Sequence, residues 1–328
     1  MSTKIKKILP LVLLIAVVAV FPLVSDGYIL SIGISVMIAA LLGQSWNLMS
    51  GYAGQFSFGH AAFFGLGAYT SSILYMDYGI TPWIGMLAGM AVAGLVGIII
   101  GYLSFRYRLK GDYFALATLA FAEILRILFN NIKALKGAAG ILIPYRQDWT
   151  AFAFKSDRTY FYVISCMVAM ATFCIWWIMK HRIGLNLVAI RENQDAAGSL
   201  GVNVLKYKLI AIAVSAAMAA MAGAFYAQYY GFIDPTVAFA AEISVEAIVP
   251  CIIGGAGTFL GPIFGAFLII PIQEICNSLF TNIGGINMIV YGAVIVVFII
   301  FCPNGFYGKI LKRKRKNERN SVSSKKCM

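Results

Sequence analysis

The chain has 328 residues, of which 61% are hydrophobic and 12% charged, with 32 glycines and a net charge of +13. Its mean hydropathy of +0.84 excludes an ordinary soluble domain, where roughly half the residues are apolar and about a quarter charged. Apolar windows of about 20 residues recur, each long enough as a helix to cross about 30 Å of hydrocarbon, and the period-2 alternation of a membrane barrel is absent.

The fold class is therefore all-α, a polytopic integral membrane protein with ten predicted transmembrane segments: residues 8–25, 28–49, 54–76, 82–104, 113–131, 159–179, 209–230, 243–254, 262–280 and 287–303. The first follows Lys4, Lys6 and Lys7 and has the outline of a signal peptide. Its long apolar run and the lack of an A-x-A site before Asp26 make it an uncleaved span instead.

The second and third segments concentrate uncharged polar groups, Gln44, Asn47, Gln55 and Ser57, beside His60 and among Gly51, Gly54, Gly59, Gly65 and Gly67. Small residues at this density let helix backbones approach closely, and the polar groups either line a passage for polar solutes or join helices. His60 reads first as an interhelical hydrogen-bond partner, with a proton relay as the alternative. Further on, Glu123 and Arg126 are three residues apart and share a helix face. They form a mutual pair, with Arg126 near enough to the segment's end to snorkel, or they serve a substrate or coupling-ion role.

Between Lys180 and Lys208 the chain turns polar. Leu185, Val188, Ile190, Ala196, Ala197 and Leu200 give an incomplete apolar face around Arg191, Glu192, Asn193, Gln194 and Asp195. Gly201 suits a helix stop and Asn203 the cap of the next helix, so the expectation is a short surface helix joined rigidly to the following span. Beyond it, the segment 243–254 is too short to cross and runs into Gly254, Gly255 and Gly257. An interrupted segment is tolerated at membrane depth only where protein or a water-filled cavity satisfies its backbone, which makes it a pathway candidate.

With both termini cytoplasmic, 20 of the 26 basic residues lie inside, as the positive-inside rule requires. The loop 132–158 strains the rule with Lys133, Lys136, Arg146, Lys155 and Arg158. The organisation is one transmembrane domain, 1–305, with a cytoplasmic loop at 180–208, and a basic cytoplasmic tail, 306–328, suited to anionic lipid rather than nucleic acid. No phosphate loop, H-E-x-x-H or nucleophile elbow occurs, so no catalytic residues and no intrinsic ATPase site are expected. Six scattered cysteines without a C-x-x-C pair point to no metal site.

Four blocks in order, GYAGQFSFGHAAFFGLGAYT (51–70), RLKGDYFALATLAFAEI (108–124), AIRENQDAAGSLGVNVLKYKL (189–209) and IIGGAGTFLGPIFGA (252–266), resemble the LivM-type permease subunit of bacterial branched-chain amino acid ABC importers. The resemblance implies a bacterial cytoplasmic (inner) membrane location and translocation of branched-chain or other hydrophobic amino acids. It implies a second permease subunit as heterodimer partner, two cytoplasmic ATPase subunits that carry the ATP and magnesium, and an extracytoplasmic solute-binding protein; no cofactor is bound by this chain itself. In such importers a loop with an E-A-A…G pattern docks on the ATPase. Asp195, Ala196, Ala197 and Gly201 stand in its place, with aspartate for glutamate and a shorter interval to the glycine, and Arg191 and Glu192 lie beside them. Relatives that move urea or short amides share these blocks. Two other classes remain to be weighed: an ion-coupled secondary carrier using Glu123 or His60, and a membrane scaffold or receptor.

Overall fold

The computed structural model describes residues 20–25, 27–107, 109–145, 148–280, 285–301 and 305. Most of the predicted first span, the basic tail 306–328, Arg108 and Arg146 lie outside the described residues.

After a helical stretch over residues 20–24, twelve α-helices follow in chain order among the described residues. They are α1 Gly27–Trp46, α2 His60–Tyr78, α3 Pro82–Arg106, α4 Asp112–Asn131, α5 Asp157–Lys180, α6 Arg182–Glu192, α7 Gln194–Ser199, α8 Val204–Tyr230, α9 Pro235–Ala238, α10 Ala241–Gly254, α11 Gly261–Leu279 and α12 Ile286–Phe301. Among the described residues, six stretches are long and apolar enough to cross a membrane: Gly27–Tyr52, Pro82–Arg106, Asp157–Lys180, Val204–Tyr230, Pro235–Gly254 and Gly261–Leu279. α2 and α4, at 19 and 20 residues, match these lengths with more polar sequences.

α1 is the hub of the bundle and packs against α5, α8, α10 and α11. It is buried on every side from Val36 to Trp46, which suits the apolar run over residues 36–42; the polar Gln44 and Ser45 that follow are buried with hydrogen-bond partners. α2, α3 and α8 form a second group, held at backbone distance by small residues. A Cβ at Gly67 would collide with the carbonyl of Ala220, and one at Gly223 with the carbonyl of Phe64, so α2 and α8 cross in direct main-chain contact. The α10–α11 hairpin closes the same way, because Gly265 leaves room for the carbonyl of Pro250.

The bundle has two distinct ends. At one, Arg106, Lys110, Lys180, Arg182, Arg191, Lys206 and Lys208 gather around α6 and α7. At the other, the 132–158 loop folds over the helix ends. Ile141–Leu142 (β1) pairs antiparallel with Phe232–Ile233 (β2), Ile141 opposite Ile233, and the Tyr160 hydroxyl donates to the carbonyl of Phe152 at 3.3 Å. Trp83, Phe152, Phe154, Tyr160 and Phe225 interlock there with ring centroids of contacting pairs 4.3–6.4 Å apart, an apolar lid rather than a solvated linker.

Three boundaries differ from the sequence reading. The third segment becomes helical at His60 instead of residue 54, because residues 54–59 are an irregular stretch whose backbone is satisfied by side chains of neighbouring elements. The short eighth segment gains length from α9, capped by Asp234, so that Pro235–Gly254 reaches 20 residues. The polar island is two helices, not one: Asn193 breaks it and caps α7, its Oδ1 accepting from the backbone of Asp195 and Ala196 at 3.1 and 3.0 Å.

Candidate functional site

α1 does not end cleanly at Trp46 but widens into a π-helical turn over Asn47–Tyr52, a distortion that often marks functional positions. Gln44 and Asn47, three residues apart, face the turn between α10 and α11. Gln44 Nε2 donates to the carbonyl of Phe259 at 3.0 Å. Asn47 makes a two-way contact: its Nδ2 donates to the carbonyl of Thr258 at 2.8 Å, and its Oδ1 accepts from the Gly257 backbone at 2.7 Å. Two side chains of a buried helix thus satisfy irregular backbone that would otherwise be stranded inside the bundle. Gly254 packs against Gly261, while the carbonyl of Gly255 accepts the Thr258 hydroxyl at 2.6 Å to close the turn.

The end of α6 enters the same junction. Arg191 Nη1 donates to the carbonyl of Gly51 at 2.8 Å, and its Nη2 pairs with Glu192 Oε1 at 2.7 Å. Gly257 sits at φ +73°, and a Cβ there would lie 2.8 Å from Arg191 Nη1 and 2.9 Å from the carbonyl of Gly51. Gly54, at φ +69°, leaves the room that the Arg191 stem occupies. The structure therefore joins three stretches far apart in sequence: the 47–54 turn, the 255–259 turn and the polar island.

The outer surface of that island carries the remaining loop residues. Asn193 starts α7 and Gly201, at φ +85°, ends it, with Gly201 N bonded to the carbonyl of Gly198 and Val202 N to that of Ala197. This paired pattern is a Schellman motif, and it holds the short helix rigid. Ala197 is buried inward, whereas Glu192, Asp195 and Ala196 are exposed. Leu185 is 69% and Leu200 87% exposed, an unusual placement for leucine at a polar end of a bundle. Asp195 meets Lys110 at 3.3 Å, but its side chain is 84% exposed, so the pair contributes little to stability.

Other sequence candidates lie apart from this junction. His60 is buried, its Nε2 3.0 Å from Ser215 Oγ, which donates to the carbonyl of Ser45 at 2.7 Å and so links α1, α2 and α8. Ser57 receives the indole N–H of Trp46 on its carbonyl at 2.8 Å. Glu123 and Arg126 bond to each other through Arg126 Nε at 2.9 Å on the outside of α4.

A cavity of about 510 Å³ opens toward the lidded end, between α1, α2 and α8–α11. Apolar Ile38, Leu42, Phe64 and Ile270 form one part of its wall, and Glu242, Glu246, Gln273 and Glu274 another. Its size falls in the range of about 300–1,000 Å³ found for small-molecule sites. None of Gln44, Asn47, Gln55, Ser57, His60, Gly254, Gly255, Gly257, Glu123 or Arg126 lines it. The first eight lie in or beside the packed turns beyond its inner end.

Sequence reasoning missed two features. Glu246 and Glu274 are rare ionisable residues in apolar segments, but nothing in one sequence brings them together with Glu242 at the cavity. Lys208 was counted only as a surface charge, although it is 2% exposed. Helical spacing from Lys208 to Ala211, Ile212 and Ser215, all buried on one face of α8, is the signal that could have revealed it.

The family model described as "Branched-chain amino acid transport system / permease component" matches residues 28–299. The high-affinity branched-chain amino acid transport system permease protein LivM of Salmonella typhimurium is 32% identical over 330 residues, 93% of this chain and 75% of the relative. LivM of Escherichia coli is 30% identical over 93% of this chain and 76% of its own length. LivH of Salmonella typhimurium, a permease protein of the same kind of system, is 25% identical over 82% of this chain and 91% of its own length. No solved structure matches the chain.

Proposed function

This chain belongs to the branched-chain amino acid transport permease family, and from that premise we propose that it is the permease subunit of an ATP-driven importer of branched-chain or other hydrophobic amino acids. The single observation that carries the mechanism is the junction at Arg191, where the exposed island meets both interrupted turns. A displacement of α6 and α7 reaches Gly51 and Gly257 without an intervening flexible segment.

In this reading the cavity admits substrate from the extracytoplasmic side, and the Gln44–Phe259 and Asn47–Gly257–Thr258 contacts close the passage below it. Both termini are cytoplasmic, residues 1–305 form the permease domain and 306–328 a basic tail held near anionic lipid. Partner ATPases bind ATP and magnesium and dock on residues 185–203; this chain supplies no catalytic group. A second permease subunit completes the passage, and an extracytoplasmic solute-binding protein delivers the amino acid. The apolar wall of the cavity favours a hydrophobic side chain over the compact polar shape of urea or a short amide.

Reconstitution in liposomes with the two ATPases, the second permease and the binding protein tests the assignment. Leucine accumulation that requires ATP and all subunits is expected. Uptake by this chain alone, abolished by an uncoupler, would replace the importer with an ion-coupled carrier.

A further inference from the structure

Lys208 lies in the first turns of α8, at the polar end of the bundle, yet is almost fully buried. Its ammonium reaches two amide oxygens: Gln55 Oε1 at 3.0 Å and Gln194 Oε1 at 2.6 Å. The third direction faces the ring of Phe105, 4.9 Å from its centroid. An ammonium has three donors and no acceptor, so two amides and an aromatic face use its whole capacity. No carboxylate lies within ion-pair distance of it among the described residues. A buried ammonium costs free energy unless every donor is engaged, and this one is engaged by residues of three separate elements: the stretch before α2, α7 and α3.

Gln194 is the first residue of α7, and Gln55 belongs to the irregular stretch before α2. Gln55 is itself locked in place. Its Nε2 donates to the carbonyl of Ala53 at 3.2 Å, and its own carbonyl accepts the Ser50 hydroxyl at 2.9 Å. A cavity of about 220 Å³ lined by Phe105, Arg106, Leu109, Gln194, Val204, Leu205 and Lys208 borders the contact. It leaves room for Gln194 to withdraw without repacking the helices.

We infer that Lys208 is a positioning residue for coupling, tying the start of α7 to Gln55 so that movement of the island is transmitted to the 51–59 stretch by a second route beside Arg191. This inference rests on the importer reading. Arg191 grips the stretch at its start, Gly51, and Lys208 at its middle, Gln55, so the stretch follows the island at two points instead of pivoting about one contact.

The test uses the complete importer in proteoliposomes and compares amino acid transported per ATP hydrolysed. Lys208→Met keeps an unbranched side chain one atom shorter and removes all its donors. Lys206→Met removes an exposed charge two residues away. Lys208→Met is expected to assemble with the ATPases and to hydrolyse ATP, while transport per ATP falls on the order of 5-fold or more, the lower range of coupling between distant sites. Lys206→Met is expected to keep the wild-type ratio. Gln55→Leu, which leaves α7 and the ATPase-facing surface untouched, is expected to lower the ratio in the same way and decides the matter if Lys208→Met does not assemble. A wild-type ratio in Lys208→Met, or in Gln55→Leu if that variant has to decide, overturns the inference, as does an equal loss in Lys206→Met. Failure of the importer reading looks different, because the unmutated complex would then show no ATP-dependent uptake.

Discussion

Arg191 and Gly257 occupy one space: the guanidinium lies where any side chain at position 257 would begin, 2.8 Å from an ideal Cβ, while it donates to the carbonyl of Gly51 at 2.8 Å. The contact links the polar island to the interrupted α10–α11 turn and to the π-helical end of α1. Side chain and glycine are complementary: a side chain at position 257 would displace the guanidinium.

Replacing Arg191 by alanine is expected to leave the bundle folded, since the residue sits at its edge, but to strand the Gly51 carbonyl. An unsatisfied buried acceptor costs about 1–3 kcal/mol, and a coupling free energy of that size corresponds to roughly 5- to 150-fold. Uptake should fall within that range while ATP hydrolysis persists. Arg191→Lys should restore little, because an ammonium lacks the planar fork that spans Gly51 and Glu192 together. Parallel measurements of uptake and phosphate release check both variants.

Asn47 is the main closure of the passage in this account, donating to Thr258 and accepting from Gly257. Asn47→Ala removes both bonds and Asn47→Asp replaces a donor by a carboxylate oxygen facing a carbonyl. Both variants are expected to leak preloaded leucine from ATP-free proteoliposomes faster than the unmutated chain, with Asn47→Asp the leakier. Equal retention of leucine in all three would show that closure lies elsewhere.

Ser35 lines the 510 Å³ cavity and is only partly buried, so a larger side chain there projects into open space before it meets the core. Ser35→Trp is expected to assemble normally and to lower leucine uptake at least as strongly as Arg191→Ala. Ser31, one turn earlier on α1 and outside the lining, is the control position. Unchanged uptake in Ser35→Trp would remove the cavity from the passage.

The helical architecture was legible because apolar windows near 20 residues leave a membrane chain no other way to satisfy its backbone. The cap at Asn203 and the stop at Gly201 were legible for local reasons, one a side-chain oxygen and the other a left-handed backbone. Gln44, Asn47 and Gly257 stood out singly, but their partnership was not legible, since the residues bonded by Asn47 lie 210 and 211 positions away. A single sequence carries local periodicity and not such pairings. The break at Asn193 was missed because an apolar face running from Leu185 to Leu200 masks a capping residue in its middle. Lys208 escaped notice because a lysine beside an exposed Lys206 looks like another surface charge.

In the proposed importer, α6 and α7 receive the motion generated by the ATPases. Leu200, 87% exposed on the island and next to Gly201, is the position to probe. With a photo-reactive phenylalanine placed there in the assembled importer, illumination is expected to join this chain to an ATPase subunit, with a yield that changes when ATP is bound. The same probe at Leu142, at the lidded end, should give no such product. An active importer in which position 200 never cross-links to an ATPase subunit, while position 142 does, would contradict the account.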